Sequence, residues 1–205
     1  MNIAVMTTKQ WYRALLEDRI LMQPSDLSTP PILLPVRVES LLPNNDWKSA
    51  WRLVRTKGLR SQHSSFLFKL LHQLLPTQDR ISRITKDSGV CKVCLVENDD
   101  LLHALYQCPN SRATADHLLG LVHVAVPDLP PDKLLRLDFG TELNEDEVLP
   151  LLTIVSTGLM YIWQARAEKK RPTQYKMRAE IEAEISILRK TRYCASADRV
   201  LEIIV

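Results

Sequence analysis

The sequence predicts a mainly α fold, a helical bundle that carries one small irregular insert. Three observations predict it. Glycine is scarce, five in 205 residues, whereas the tight turns of antiparallel sheets lean on glycine. Apolar residues recur at i, i+3, i+4 and i+7 in several windows, the spacing of one helix face. No alternating run of β-branched residues lasts beyond a few positions, as a half-buried strand requires. With 45% hydrophobic and 25% charged residues the composition is that of an ordinary folded chain, and 205 residues can bury a core without disulfides. Neither G-x-G-x-x-G nor G-x-x-x-x-G-K-S/T occurs, so a phosphate cradle built on a glycine loop is excluded.

The elements follow in chain order. Residues 1–23 hold an N-terminal helix over 8–23, with Trp11, Leu15 and Met22 spaced for one face. Pro24, Pro30, Pro31, Pro35 and Pro43 make 24–45 a Pro-rich linker, because each proline removes a donor and biases its predecessor away from helix. Residues 46–126 hold basic helices and the insert. Asp46 caps a helix ended by Gly58, with Trp47, Ala50, Trp51 and Val54 as its buried stripe and Lys48, Arg52 and Arg55 on the other side. A second helix over 62–75 buries Leu67, Leu70, Leu71 and Leu74 and stops at Pro76. Thr77 caps a short third one with Ile81 and Ile84 inward and Arg80 and Arg83 outward. A helical pattern over 110–125 closes at the PDLPPD turn of 127–132.

Residues 127–205 form a C-terminal helical region. Asn144 and Glu147 match a capping box, and Pro150 fits the first turn of a long helix reaching about Lys170. Its apolar run, 149–163, is broken by Pro150, Thr153, Ser156 and Thr157 and falls short of the ~20 residues a bilayer requires, so it reads as a buried core helix. After Pro172, Met177, Ile181, Ile185 and Leu188 mark a last amphipathic helix.

Charge is informative once divided along the chain. Residues 48–92 carry ten Lys/Arg against two Asp/Glu, and 93–150 carry three against eleven. Such a basic block suits a polyanion partner. The stripe consists of Lys48, Arg52, Arg55, Lys57, Arg60, Arg80, Arg83, Lys86 and Lys92, interleaved with Trp47, Trp51 and Phe66. The cations can neutralise phosphates, while Trp51 and Phe66 read as core. Arg166, Lys169, Lys170 and Arg171 form a second cluster, suited to nuclear import, to phosphate contact or to a solvated helix end. The first residues lack a signal-peptide pattern, so an intracellular location, nucleus or cytoplasm, and a reducing compartment are expected.

In such a compartment clustered thiols point to metal. Cys91, Cys94, His103 and Cys108 follow C-x2-C-x8-H-x4-C. A C-x-x-C pair turns two thiolates onto one ion, and a His and a Cys five positions apart complete the tetrahedron when a short helix ends between them. Three sulfurs and one imidazole suit Zn²⁺ in a closed structural site with no position for water. Lys92, between the first two cysteines, favours the thiolate. The fold class is therefore mainly α, a helical bundle with a small CCHC zinc-knuckle insert at 89–110.

The run Cys91…Cys94…His103-Ala-Leu-Tyr-Gln-Cys108-Pro109 resembles the zinc-binding segment near the C-terminus of non-LTR (LINE-type) retrotransposon reverse transcriptases. Trp47…Trp51, the helix ending in Leu74-Leu75-Pro76-Thr77, and Arg80-Ile81 are similar to the passage that precedes the knuckle there, and Trp163-Gln-Ala-Arg166 to the W-x-x-R that follows it. The likeness spans 46–192. It implies zinc as cofactor and RNA, single-stranded DNA or target-site DNA as partner. The polymerase activity does not carry over, because no Y/F-x-D-D turn is present and Asp99-Asp100 follow Glu97-Asn98 inside the zinc loop. The expectation is a non-enzymatic nucleic-acid-binding module, a detached C-terminal portion of such a polyprotein, with no membrane partner. The alternative is a zinc-clipped scaffold that docks on a reverse transcriptase body or another subunit.

Overall fold

The computed structural model describes residues 47–140, 143 and 145–190. The expected helix over 8–23, the linker over 24–45 and the caps Asp46 and Asn144 lie outside these residues. Seven α-helices are described: α1 Trp47–Val54, α2 Ser61–Leu71, α3 Gln78–Thr85, α4 Arg112–His123, α5 Pro131–Leu135, α6 Glu145–Ala167 and α7 Gln174–Lys190. A π-helical turn, His103–Gln107, lies between α3 and α4. Among the described residues no strand forms; a single antiparallel bridge pairs Val90 with Asn98.

Helix α6 is the axis of the bundle. Every residue from 149 to 159 is buried, and α6 packs against α7, α4, α2 and the π turn. Two of its buried hydroxyls are satisfied within the helix, Thr153 donating to the Leu149 carbonyl at 2.8 Å and Ser156 to that of Leu152 at 2.6 Å, whereas the buried Thr157 Oγ1 has no hydrogen-bond partner. Pro150 lies in the second turn, not the first, and its missing N–H leaves the Asp146 carbonyl without its helical donor. By length and composition Glu147–Ala167 passes for a membrane span, yet 78% of that window is buried inside the protein. Gly158 lets α4 and α6 approach closely, since a Cβ there would lie 2.5 Å from Leu118 Cδ1.

One apolar cluster runs from Trp47 to Leu188 and draws on both the 46–126 and 127–205 spans. In α7 Met177, Ile181, Ile185 and Leu188 are buried, as their spacing predicts. In α1 the stripe is rotated by one residue: Leu53 is buried and Trp51 half-buried. Ile84 falls outside the described side chains.

Helix ends depart furthest from expectation. Helix α2 stops at Leu71 because Gln73 takes a left-handed conformation, φ 51°. Leu74 N–H then reaches the Lys69 carbonyl at 2.7 Å and Gln73 N–H that of Leu70 at 2.9 Å, the paired bonds of a Schellman close. The turn buries Leu75 and leaves Leu74 half-exposed. Helix α6 closes in the same way at Lys169, φ 55°, with Lys170 N–H to the Ala165 carbonyl at 2.7 Å and Lys169 N–H to that of Arg166 at 2.9 Å. The PDLPPD segment contributes the start of α5, with Pro131 in its first turn.

Candidate metal centre

The centre is assembled from two short backbone devices. The first is the loop closed by the Val90–Asn98 bridge, in which Cys91 N–H donates to the Glu97 carbonyl at 2.9 Å and Asp99 N–H to that of Gly89 at 2.9 Å. Within it Leu95 N–H returns to the Cys91 carbonyl at 2.9 Å, and Cys91 Sγ accepts from the Val93 and Cys94 amides at 3.4 and 3.5 Å. Gly89 lets this loop lie on α3, since a Cβ would sit 2.7 Å from Asn98 Oδ1 and 3.4 Å from Asp79 Cα. The second device is the π turn. Cys108 N–H donates to the His103 carbonyl at 2.8 Å, an i to i+5 closure. A turn that returns after five residues stacks His103 and Cys108 on one side, which accounts for the H-x4-C spacing.

Cys91, His103 and Cys108 are buried and Cys94 is half-buried; the ligand atoms of all four lie within 4.8 Å of one another. Cys91 Sγ is 4.0 Å from Cys108 Sγ, and Cys94 Sγ is 3.4 Å from His103 Nε2. A tetrahedron with Zn–S of about 2.3 Å and Zn–N of about 2.0–2.1 Å has S···S edges of about 3.8 Å and S···N edges of about 3.6 Å. The four donors therefore fit zinc. Neither the sulfur separation nor the three free cysteines indicate a disulfide.

The surrounding groups orient and charge the donors. With Nε2 turned to the other ligands, His103 Nδ1–H donates to Glu97 Oε2 at 2.9 Å, the carboxylate–histidine arrangement that fixes tautomer and ring plane at zinc sites. Asp100 Oδ1 accepts His103 N–H at 2.7 Å and starts the π turn. Arg166, brought from the end of α6, donates to Cys91 Sγ at 3.4 Å and pairs with Asp99 Oδ1. Asp99 is 1% exposed, and its other oxygen accepts the Gln78 amide at the start of α3 at 2.7 Å. Burial pushes the Cys91 thiol up, but the Cys94 amide, Arg166, the Val93 amide and His103 outweigh it and bring it down to about 6. Cys108 moves up to about 11, because burial and the neighbouring Cys91 and Cys94 outweigh the Asn110 amide. Clustered thiols of this kind ionise together only when a cation joins them.

Residues 38–114 match the family model for zinc-binding in reverse transcriptase. No curated protein and no solved structure matches the chain. The matched span contains α1, α2, α3, all four donors and the first residues of α4. Zinc is thus the metal on which the donor set and the match agree. The match concerns a zinc-binding accessory domain and not a catalytic one.

The expected nucleic-acid contacts divide. Lys48, Arg52, Arg55 and Lys57 are exposed on α1 and the turn after it, and Lys92 and Lys86 are exposed near the knuckle. Arg60 is exposed but paired with Glu184 at 2.5 Å, and Arg83 with Asp79 at 2.6 Å. Arg80 corrects the expectation of an outward side chain. It is buried and donates to the Gln73 carbonyl, which the left-handed turn aims at α3. Phe66 is core, as expected, whereas Phe68 is exposed. Arg166 leaves the second basic cluster: its side chain is 11% exposed and serves the metal centre. Neither Arg166 nor Asp99 can be found from ligand spacing; the W-x-x-R likeness singles out Arg166 without its partner.

Proposed function

We propose that the chain is a zinc-stabilised nucleic-acid-binding module, similar to the C-terminal segment of a LINE-type reverse transcriptase and without a polymerase site of its own. The carrying observation is a stretch of chain with one sign of charge. Residues 47–78 contain no Asp or Glu, and Lys48, Arg52, Arg55 and Lys57 are exposed on α1 and the turn after it. A polyanion gains affinity there by releasing counterions. The zinc acts as a clip: four protein donors leave no position for water, and metal binding contributes folding free energy. The role is binding, inside the cell, on RNA or on single-stranded or target-site DNA.

If four to six cations neutralise phosphates, log affinity should fall against log salt with a slope of about −3 to −5. Fluorescence anisotropy with labelled RNA and DNA over a salt series measures it. A slope near zero, or no binding at low salt, would overturn the reading. A second reading is favoured by Leu95 and Val96, exposed within the knuckle loop, and by Val90, exposed at its closing bridge, because an apolar surface there suits docking on a reverse transcriptase body. Replacing Leu95 and Val96 with Ser would then weaken that protein contact and leave the salt slope unchanged.

A further inference from the structure

The aromatic residues of α1 and α2 form a connected strip that leads from the core to the surface. Trp47 and Trp51 stack with centroids 5.8 Å apart and planes 25° off parallel. Trp51 meets Phe68 at 5.9 Å and His72 at 5.0 Å, and Phe68 meets His72 at 4.1 Å. Trp47 is 8% exposed, Trp51 and His72 are half-buried, and Phe68 is 42% exposed. The core needs only the inner end of this strip. The outer end keeps a ring in water, held by its neighbours in one orientation.

The strip's surroundings specify what would cover that ring. Phe68 borders a shallow hollow shared with Val54, Arg55, Ser64, Ser65 and Lys69. Arg52, Arg55 and Lys69 are exposed, and neither helix contains an acid. An apolar peptide would gain from the ring and lose by the cations. A duplex would gain from the cations, but its bases are stacked inside and out of reach. A strand with unpaired bases uses both, since every base has a π-face and a phosphate beside it. We propose that Trp51, Phe68 and His72 form a stacking platform for unpaired bases of single-stranded nucleic acid, with Arg52, Arg55 and Lys69 holding the flanking phosphates. This rests on the nucleic-acid reading above and adds the strand type and the residues that select it.

The test compares oligo-uridylate, oligo-deoxyuridylate and a DNA duplex of equal length, by anisotropy, on the zinc-loaded full chain. Phe68→Leu keeps an apolar side chain of similar size and removes the π-face. Single-strand affinity should fall about 5- to 150-fold, with duplex affinity and melting temperature unchanged and Phe68→Tyr restoring the loss. Both single strands falling together places the recognition on the base face, and one falling alone adds a sugar preference to the same platform. If Phe68→Leu leaves both within about twofold, the platform is wrong. Arg52→Glu with Arg55→Glu should weaken all three ligands. If it weakens all three while Phe68→Leu does nothing, the nucleic-acid reading stands and the platform falls. If the charge reversal changes nothing, or the parent chain binds none of the ligands, both fall.

Discussion

Arg166→Met tests whether the long helix and the metal centre are one unit. The substitution keeps the aliphatic stem and removes the guanidinium that pairs with Asp99 and donates to Cys91 Sγ at 3.4 Å. Asp99, 1% exposed, would then retain its carboxylate with the Gln78 amide at 2.7 Å as its remaining hydrogen bond. Breaking a buried ion pair on one side costs about 3–5 kcal/mol, and the surviving amide places this case at the lower end, about 3 kcal/mol. The metal is affected separately. A lost partner outside the ligand set weakens metal affinity by about 10- to 100-fold, or about 1.4–2.7 kcal/mol. The Cys91 thiol, now held at about 6, should rise as well. Urea denaturation of the zinc-loaded chain reads the first loss, and competition with a chromogenic chelator the second. Adding Asp99→Asn should recover much of the stability and none of the zinc affinity, because it removes the stranded charge and not the bare sulfur. An unchanged denaturation midpoint together with unchanged zinc affinity in Arg166→Met would refute the coupling.

Other consequences follow from single positions. His63, 2% exposed, lies 2.7 Å through Nδ1 from Ser156 Oγ, whose own hydrogen goes to the Leu152 carbonyl, so Nδ1 carries the proton and Nε2 accepts from Gln62 at 3.2 Å. Burial, partly offset by Glu184 and reinforced by Arg60, lowers its pKa. Its contribution to stability is therefore complete above about 6.5 and is lost as pH falls from there through the folded value. An NMR titration of the His63 ring proton should give a midpoint below 6.5, and one above it would be wrong for this pocket. Lys169→Gly should stabilise by up to about 1 kcal/mol, since a left-handed residue with a Cβ costs about 1–2 kcal/mol and glycine's entropy returns part of it; a lower melting temperature would count against the Schellman close. Gly158→Ala should cost about 1–3 kcal/mol by forcing Leu118 off its site, and an unchanged denaturation midpoint would show that the crossing can yield.

What the sequence made legible is local. The C-x2-C-x8-H-x4-C spacing gave all four donors, because a metal site of this kind is built from two short turns whose reach depends on residue count. The apolar stripe of α7 was equally readable. The helix ends were less so: Gln73 and Lys169 take the left-handed place that glycine usually marks, so Pro76 and Pro172 only bracket the stops, and α2 ends at Leu71, short of the expected 75. Arg80 reads as solvated because its carbonyl partner exists only after Gln73 turns. Arg166 and Asp99 lie 67 positions apart and meet only when α6 packs beside the π turn; nothing in spacing or charge reports a contact made by tertiary packing. Phe66 and Phe68 differ by two positions, which on a helix turns one ring to the core and the other to water.

The most direct measurement is zinc-edge X-ray absorption on the purified chain with its metal content determined. We expect one equivalent of zinc, with three sulfurs at about 2.3 Å and one nitrogen at about 2.0–2.1 Å. A spectrum of nitrogen and oxygen neighbours only, or a chain that holds no zinc and melts identically with and without chelator, would contradict it.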